Sequence, residues 1–196
     1  MAFLRATAHS QNVMANKLKF RTMKLTRFSN FAMSILISSL MIGCISVSHI
    51  STTSDVKEEY LSNVPKGAEV VIVNKNNISA DSLYEEVYTI LLSRGHRILK
   101  DDKERHYITT EGKDVGQSTL QRMTLVITEK ENSSQLRITT EWKGGTEASA
   151  MATAMSGIPI QSDWSLAKWE INRLGIAFAV SVAIANEIKD GKISYE

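Results

Sequence analysis

Two stretches in the middle of the chain alternate apolar and polar residues, with the two-residue period of a β-strand that has one buried face. The first runs from Thr119 to Lys130 and the second from Leu136 to Trp142, and the residues between them, 131–134, have the composition of a turn. We therefore predict an antiparallel hairpin that is apolar on one face and solvated on the other.

Upstream of this hairpin, the segment Ala68–Val73 is rich in β-branched residues and predicts a strand. Apolar residues then recur at helical spacing between a serine N-cap and a glycine stop, which predicts a helix over residues 80–94. Two short runs, 96–100 and 105–110, lie on either side of an acidic turn and predict a second, shorter hairpin.

The last third of the chain has a different character. Small residues, with Met151 and Met155 one turn apart, fill the segment 146–157, a composition that fits either a short helix or a mobile flap. Apolar residues at helical spacing then predict a long helix from Leu166 to Lys189. Its centre, Leu174–Ala185, is apolar nearly all round but shorter than the about 20 residues that span a bilayer, so we expect it to be buried on more than one side.

The resulting element order, β-α-β-β-β-β-α, indicates an α+β fold. We expect a two-layer sandwich in which the helix of the N-terminal half and the long C-terminal helix lie on one face of an antiparallel sheet. Residues 64–196 are predicted to form this single domain, which is large enough to bury its own hydrophobic core.

Charge is unevenly distributed along the 196 residues, which include 23 basic and 21 acidic side chains. No acidic residue precedes Asp55, whereas the chain from Cys44 onward has 17 basic and 21 acidic residues. This mildly acidic body argues against nucleic acid as a partner, because phosphate binding needs a concentrated basic face. The basic excess lies in the first 43 residues, at Arg5, Lys17, Lys19, Arg21, Lys24 and Arg27.

The basic leader, residues 1–43, has the organisation of a secretion signal with an extended basic start. Residues 31–42 carry no charge, and the length of this run fits the apolar region of a signal peptide, about 7–15 residues. It ends in Leu40-Met-Ile-Gly-Cys44, which resembles the lipobox of bacterial lipoproteins. The resemblance implies signal cleavage between Gly43 and Cys44 and acylation of Cys44 with palmitate or similar chains.

Other interpretations of the leader are open at the level of sequence. A plain signal peptide, or a signal anchor with an incidental cysteine, has the same charge pattern, and mitochondrial presequences are also basic and poor in acids. The start of translation is open as well, since either Met1 or Met23 can begin a signal peptide of this kind.

Residues 44–63 are rich in serine and threonine and show little periodicity, so we predict a lipidated cysteine followed by a flexible tether. In the enterobacterial lipoproteins that this leader resembles, Asp after the lipidated cysteine signals retention in the inner membrane. The chain has Ile45 at that place. The resemblance therefore implies a lipid anchor in the outer membrane, with the domain facing the periplasm.

The sequence contains no catalytic motif: a glycine-rich phosphate loop, a GxSxG elbow and an HExxH helix are all absent. His96 and His106 flank the acidic turn Asp101-Asp102, but histidines at strand ends are more often solvated than metal-bound. We expect no enzyme, no cofactor and no metal. On the polar face of the central hairpin we expect Glu129 and Glu141 to balance Arg122, Arg137 and Lys143, with an anion site as the alternative.

Large apolar side chains follow the end of the predicted sheet and begin the last predicted helix. Their ordinary interpretation is core and rim, and the alternative is an apolar groove for a lipid tail or a segment of a partner. The residues of this candidate groove are Trp142, Met151, Met155, Trp164 and Trp169.

The passage from Leu83 to Glu111 combines an amphipathic helix that ends at glycine, a short strand, an acidic turn and a strand ending in Thr-Thr-Glu. It is similar to the opening of small envelope lipoprotein domains, such as the two-layer domain of the C lipoprotein of the outer-membrane β-barrel assembly machinery. The likeness covers residues 69–142 and implies a non-enzymatic accessory role in the envelope. No functional residue is transferred, because the long small-residue helix departs from that pattern.

Two main hypotheses about function follow, besides a hydrolase whose site motif analysis does not detect. The first is a lipid-anchored, non-catalytic domain that binds an envelope protein. The second is a carrier that holds an acyl chain or other amphiphile between the long helix and the sheet. An apolar cavity of several hundred cubic ångströms would favour the carrier, and a filled core with an exposed apolar patch would favour the binding module.

Overall fold

The computed structural model of the chain describes residues 45–145, 151, 154–155, 163–172 and 174–196. The predicted signal peptide, its cleavage site at Gly43 and the predicted lipidation site at Cys44 lie outside these residues. The helices are α1 (Val47–Ser54), α2 (Glu58–Ser62), α3 (Ala80–Ser93) and α4 (Gly175–Glu187). The strands are β1 (Val70–Asn76), β2 (Ile98–Asp102), β3 (Tyr107–Thr110), β4 (Lys113–Asp114), β5 (Thr119–Lys130), β6 (Ser133–Gly144), β7 (Ser165–Leu166) and β8 (Lys192–Tyr195).

The strands form one antiparallel sheet in the order β2-β3-β5-β6-β1-β8, with β4 paired to β5 and β7 paired to β6. Its centre is the β5–β6 hairpin, in register from Thr119 opposite Gly144 to Lys130 opposite Ser133. The hairpin predicted from the apolar alternation is confirmed. Alternate residues of the two strands are buried, because they point to the side of the sheet on which the helices lie.

Helices α3 and α4 pack on this buried side and share one hydrophobic cluster with the sheet. Helix α3 buries Leu83, Val87 and Leu91 and exposes the face between them, as the amphipathic spacing predicts. Helix α4 is buried from Gly175 to Ala185, on all its sides. The α+β two-layer sandwich is therefore confirmed. Among the described residues no helix is both long and apolar enough to cross a membrane.

The end of α3 is a Schellman motif that fixes the residue after it. Gly95 has φ of 72°, a left-handed conformation that glycine adopts without a side-chain clash. Its N–H donates to the carbonyl of Leu92, and the N–H of His96 donates to that of Leu91, both at 2.9 Å. This geometry turns the chain sharply and brings His96 under the end of the helix.

The prediction of a flexible tether is wrong for residues 45–63, which form α1 and α2. Ile50 and Leu61 are buried in the main hydrophobic cluster, so the segment belongs to the folded domain. The serine and threonine content misled the prediction. In α1 the hydroxyls of Thr52, Thr53 and Ser54 donate to carbonyls four residues back, as Ser54 does to Ile50 at 2.6 Å, so they do not interrupt the helix.

The long C-terminal helix is shorter than predicted, since α4 begins at Gly175 rather than at Leu166 and ends at Glu187. The predicted first residue of the helix instead lies in β7, where Leu166 pairs with Glu141 of β6. A glycine is required where the helix begins, because a β-carbon at Gly175 would clash with the carbonyl oxygen of Glu170. The apolar spacing over residues 166–172 therefore reflects the end of a short strand and a turn.

Candidate functional site: the open face of the sheet

The side of the sheet opposite α3 and α4 is not covered by any helix among the described residues. Three adjacent strands place Thr109, Thr124 and Thr139 side by side across its centre. A second row of residues lies beside them and begins with Tyr107 and Val126. We call this surface the open face: Ile72, Tyr107, Thr109, Arg122, Thr124, Val126, Arg137, Thr139, Glu141 and Lys143.

The arginines of the open face are both paired with carboxylates. Nε of Arg122 lies 2.6 Å from Oε2 of Glu141, its neighbour across the β5–β6 pair. Nη2 of Arg137 lies 2.8 Å from Oε2 of Glu196, and this hydrogen bond lowers the pKa of the Glu196 carboxyl. The expected contribution of Glu141 is confirmed. Glu129 is not part of this surface, because it pairs with buried Ser134 and so lies on the helix side of the sheet.

A tryptophan covers one end of the open face. The Trp164 ring lies between two cations, with its centroid 4.4 Å from Cζ of Arg122 and 4.8 Å from Nζ of Lys143. A β-carbon at Gly112 would be 3.1 Å from the edge of this ring, so a side chain there would crowd the ring. The contacts are cation–π interactions, and they hold both cations close to the sheet surface.

The structure does not bring the five residues of the predicted groove together. Trp142 is half-buried on the helix side of the sheet, whereas Trp164 lies on the open face. Trp169 is buried against Phe178, with 6.4 Å between ring centroids. Met151 and Met155 have helical backbone and exposed side chains. Trp142 and Trp164 separate because Trp142 pairs with Ser165, and adjacent residues of a strand point to opposite faces.

A groove that the sequence did not predict lies beside the first described residues. Its volume is about 460 Å³, and its apolar lining comes from α1, α2 and the turn before α4. Trp169 forms the buried floor, while the side chain of Ile171 is 58% exposed at the rim. We call it the N-terminal groove, lined by Val47, Leu61, Ser62, Val64, Lys66, Trp169, Glu170, Ile171 and Asn172.

A polar cleft of about 600 Å³ separates the end of α1, the end of α3 and strand β4. His96 lies in its wall and is only 3% exposed, and neither ring nitrogen has a hydrogen-bond partner among the described residues. Burial, reinforced by the nearby charges of Lys113 and Arg94, lowers the pKa of His96 to about 4. The charged residues that line the cleft are Asp55, Arg94, Lys113, Asp114 and Glu187.

The two histidines considered as metal ligands do not share a site. His106 bonds through Nε2 to Oδ1 of Asp81 at 2.9 Å, whereas His96 is buried beneath the polar cleft. Within the described ranges, no group of three or more His, Cys, Asp or Glu side chains is placed to hold a metal ion. The open face instead offers hydroxyls, a neutralised set of charges and a partly apolar centre, which suit noncovalent contact with a flat surface.

Comparison with known proteins assigns no family to the chain. No family model matches the chain, and no curated protein matches it. Among solved structures, the chain is similar to a DUF4468 family protein from Bacteroides ovatus ATCC 8483. The two are 14% identical with a TM-score of 0.35, and the match covers 66% of this chain and 88% of the other.

Proposed function

We propose that this protein is a non-catalytic lipoprotein of the bacterial envelope, anchored through Cys44, whose domain binds a protein partner on the open face of its sheet. The anchor is inferred from the lipobox resemblance, with the outer membrane, facing the periplasm, as its location. The observation that carries the binding role is the uncovered sheet face itself. One side of the sheet is covered by helices, and the other is left to solvent in the part of the chain that the structure describes.

The chemistry of the open face defines the partner. Its arginines are paired within the surface and Lys143 lies over Trp164, so a strongly acidic ligand would have to displace existing contacts. The centre combines hydroxyls with Tyr107 and with Val126, which is 37% exposed. Such a surface suits a neutral protein face that supplies apolar groups and hydrogen bonds. A nucleic acid would find no concentrated basic patch there.

The carrier hypothesis placed a ligand between the C-terminal helix and the sheet. That space is occupied by large side chains that are fully buried, among them Met123, Leu125, Ile138, Phe178 and Ile184. A filled core of this kind supports the binding module over a ligand at that place, and the N-terminal groove of about 460 Å³ lies beside α1 and α2 instead.

Photo-crosslinking tests the open face. Benzoylphenylalanine placed at Val126 in the producing bacterium is expected to give an adduct of defined mass, because that side chain is exposed in the centre of the face. The matched control is Leu92, an apolar residue of α3 that is 51% exposed outside the open face, and it is expected to give none. Thr124→Glu, which adds an unpaired charge next to the probe, should abolish the adduct. Equal crosslinking at both positions would contradict the proposal.

Intact mass and membrane fractionation test the anchor. The wild type, produced in a bacterium, is expected to have a mass that begins at Cys44 and includes acyl chains, and to stay in the membrane fraction. Cys44→Ser should leave the signal uncleaved or release the protein, because acyl chains contribute about 0.8 kcal/mol per buried methylene to membrane binding. An unmodified Cys44 in the wild type would refute the anchor and leave the open face as a separate question.

A further inference from the structure

The folded domain begins at the residue that follows the predicted lipidation site. Ile45 is half-buried against the main hydrophobic cluster. Ser46 is the N-cap of α1, and its Oγ accepts a hydrogen bond from the N–H of His49 at 3.1 Å. A single peptide bond therefore joins Cys44 to a packed residue. Since one residue spans at most about 3.6 Å, an acylated Cys44 would hold this part of the domain against the membrane.

The N-terminal groove lies at that place. Val47 lines the groove and is the first residue of α1, two residues beyond Ile45. Leu61 and Val64 continue the apolar lining, and Ile171 is exposed at the rim. The groove is thus the apolar surface nearest in sequence to the predicted acyl chains.

We propose that the N-terminal groove and the Ile171 side chain dock on the lipid bilayer, so that the domain lies directly on the membrane rather than at the end of a tether. The inference rests on the proposed acylation of Cys44 and names the surface that the anchor presents to lipid. We name the bilayer as the occupant because Cys44, the predicted anchor, directly precedes Ile45 at this face. A second copy or a soluble partner would have to enter between the face and the membrane.

The energetics require only a small apolar contact. The acyl chains already keep the domain at the bilayer, so docking is intramolecular and proceeds at a high effective concentration. Burying even one large apolar side chain then favours the docked state. The lining includes one cation, Lys66, and one anion, Glu170. Their charges balance, so docking does not depend on anionic lipid, and the Lys66 stem can extend along the apolar surface to the phosphate level.

A single thiol probe tests this arrangement in the lipidated full-length protein. Cys44 is the chain's only cysteine, and its sulfur is consumed by acylation, so Ile171→Cys provides one free thiol for a nitrobenzoxadiazole fluorophore. The matched control is Leu99→Cys. Leu99 is 60% exposed, against 58% for Ile171. It lies on the edge strand β2, four strand positions or about 19 Å from β1. The groove lies near β1, since the N–H of Trp169 donates to the carbonyl of Ala68 just before that strand. Both proteins are placed in phosphatidylcholine liposomes, with and without brominated acyl chains.

Docking predicts a blue-shifted emission at position 171 that brominated chains quench, and an unshifted, unquenched emission at position 99. If position 171 behaves like position 99 while intact mass shows the acyl chains, the docking inference is wrong and the anchor stands. If intact mass shows no acyl chains and a second fluorophore on Cys44, the anchor itself fails, and the docking inference fails with it. Thermal unfolding of both variants verifies that each retains the fold.

Discussion

The wild type is expected to lose about 3 kcal/mol of stability as the pH falls from 6.5 to about 4, and replacing His96 with phenylalanine is expected to abolish this loss. His96 is buried, and neither ring nitrogen has a partner among the described residues. Protonation would therefore place an uncompensated charge in the interior, beside the cations Lys113 and Arg94. The phenylalanine ring has a similar shape and no proton to gain.

The sign of the effect follows from where each state binds the proton. The ordinary pKa of histidine is 6.5, and burial lowers the pKa of His96 to about 4 in the folded protein. Between these values the unfolded chain binds the proton and the folded protein does not. The stability that neutral His96 allows is fully present above pH 6.5 and is lost as the pH falls through that window. The difference of about 2.5 pKa units corresponds to about 3 kcal/mol.

Urea unfolding of both proteins from neutral pH to about pH 4 measures this difference. The carboxylates of the cleft, Asp55, Asp114 and Glu187, are present in both proteins, so subtracting one profile from the other isolates His96. Lys113→Gln provides a second test. Removing a neighbouring cation should raise the pKa of His96 and so reduce the stability lost as the pH falls. At neutral pH, His96→Phe should be at least as stable as the wild type, because it removes unpartnered polar atoms from the interior. Parallel profiles for the wild type and His96→Phe would refute the account.

The parts of the fold that could be predicted from sequence are those whose signals are local. Helix α3 has a serine cap whose Oγ accepts from the N–H of Ser82, an amphipathic face and a glycine at its end. Strands β5 and β6 repeat the two-residue period over 12 residues each and adjoin through a short turn. All of these features act within a few residues, so the pattern alone determines them.

The segment 165–169 shows where local signals fail. Its apolar spacing matches a helix, but its backbone is used elsewhere: the N–H of Ala167 donates to Thr140 and that of Trp169 to Ala68, both at 2.8 Å. These partners are about 30 and 100 residues away in sequence. Strand β7 pairs with the same edge of β6 as β1 does, and this long-range pairing is not visible in the spacing of its own residues. Local spacing therefore predicts a long helix, and that prediction is wrong at its start.

The candidate site was predictable only in outline. The alternation of β5 and β6 correctly indicated one polar face on which Glu141 balances a basic residue, which the structure identifies as Arg122. Its other ion pair joins Arg137 to the last residue of the chain, and Trp164 reaches it from a segment that pairs with β6. The proposed apolar groove failed for the same reason, since the faces of Trp142 and Trp164 depend on strand pairing rather than on spacing. The burial of His96 likewise depends on elements that are distant in sequence.

Replacing Ile50 with alanine is expected to lower the free energy of unfolding by about 3 kcal/mol, within the range of about 2–5 kcal/mol typical of such truncations. Ile50 has no exposed surface. Its Cδ1 atom approaches α4 so closely that a β-carbon at Gly175 would lie 3.5 Å away. The truncation would leave a cavity between α1 and α4, and the surrounding helices could close it only in part.

Thr52→Ala is the matched control on the exposed side of the same helix. The Thr52 hydroxyl donates to the carbonyl of Ser48, at 3.0 Å, and we expect its loss to change stability by no more than about 0.5 kcal/mol. Urea unfolding of both variants separates two arrangements of the anchor. If residues 45–63 behaved as a flexible tether in solution, both substitutions would be neutral, and the domain would be free to move away from the bilayer. A large effect of Ile50→Ala alone means that α1 is part of the folded domain, which is a condition for direct contact between the N-terminal groove and lipid.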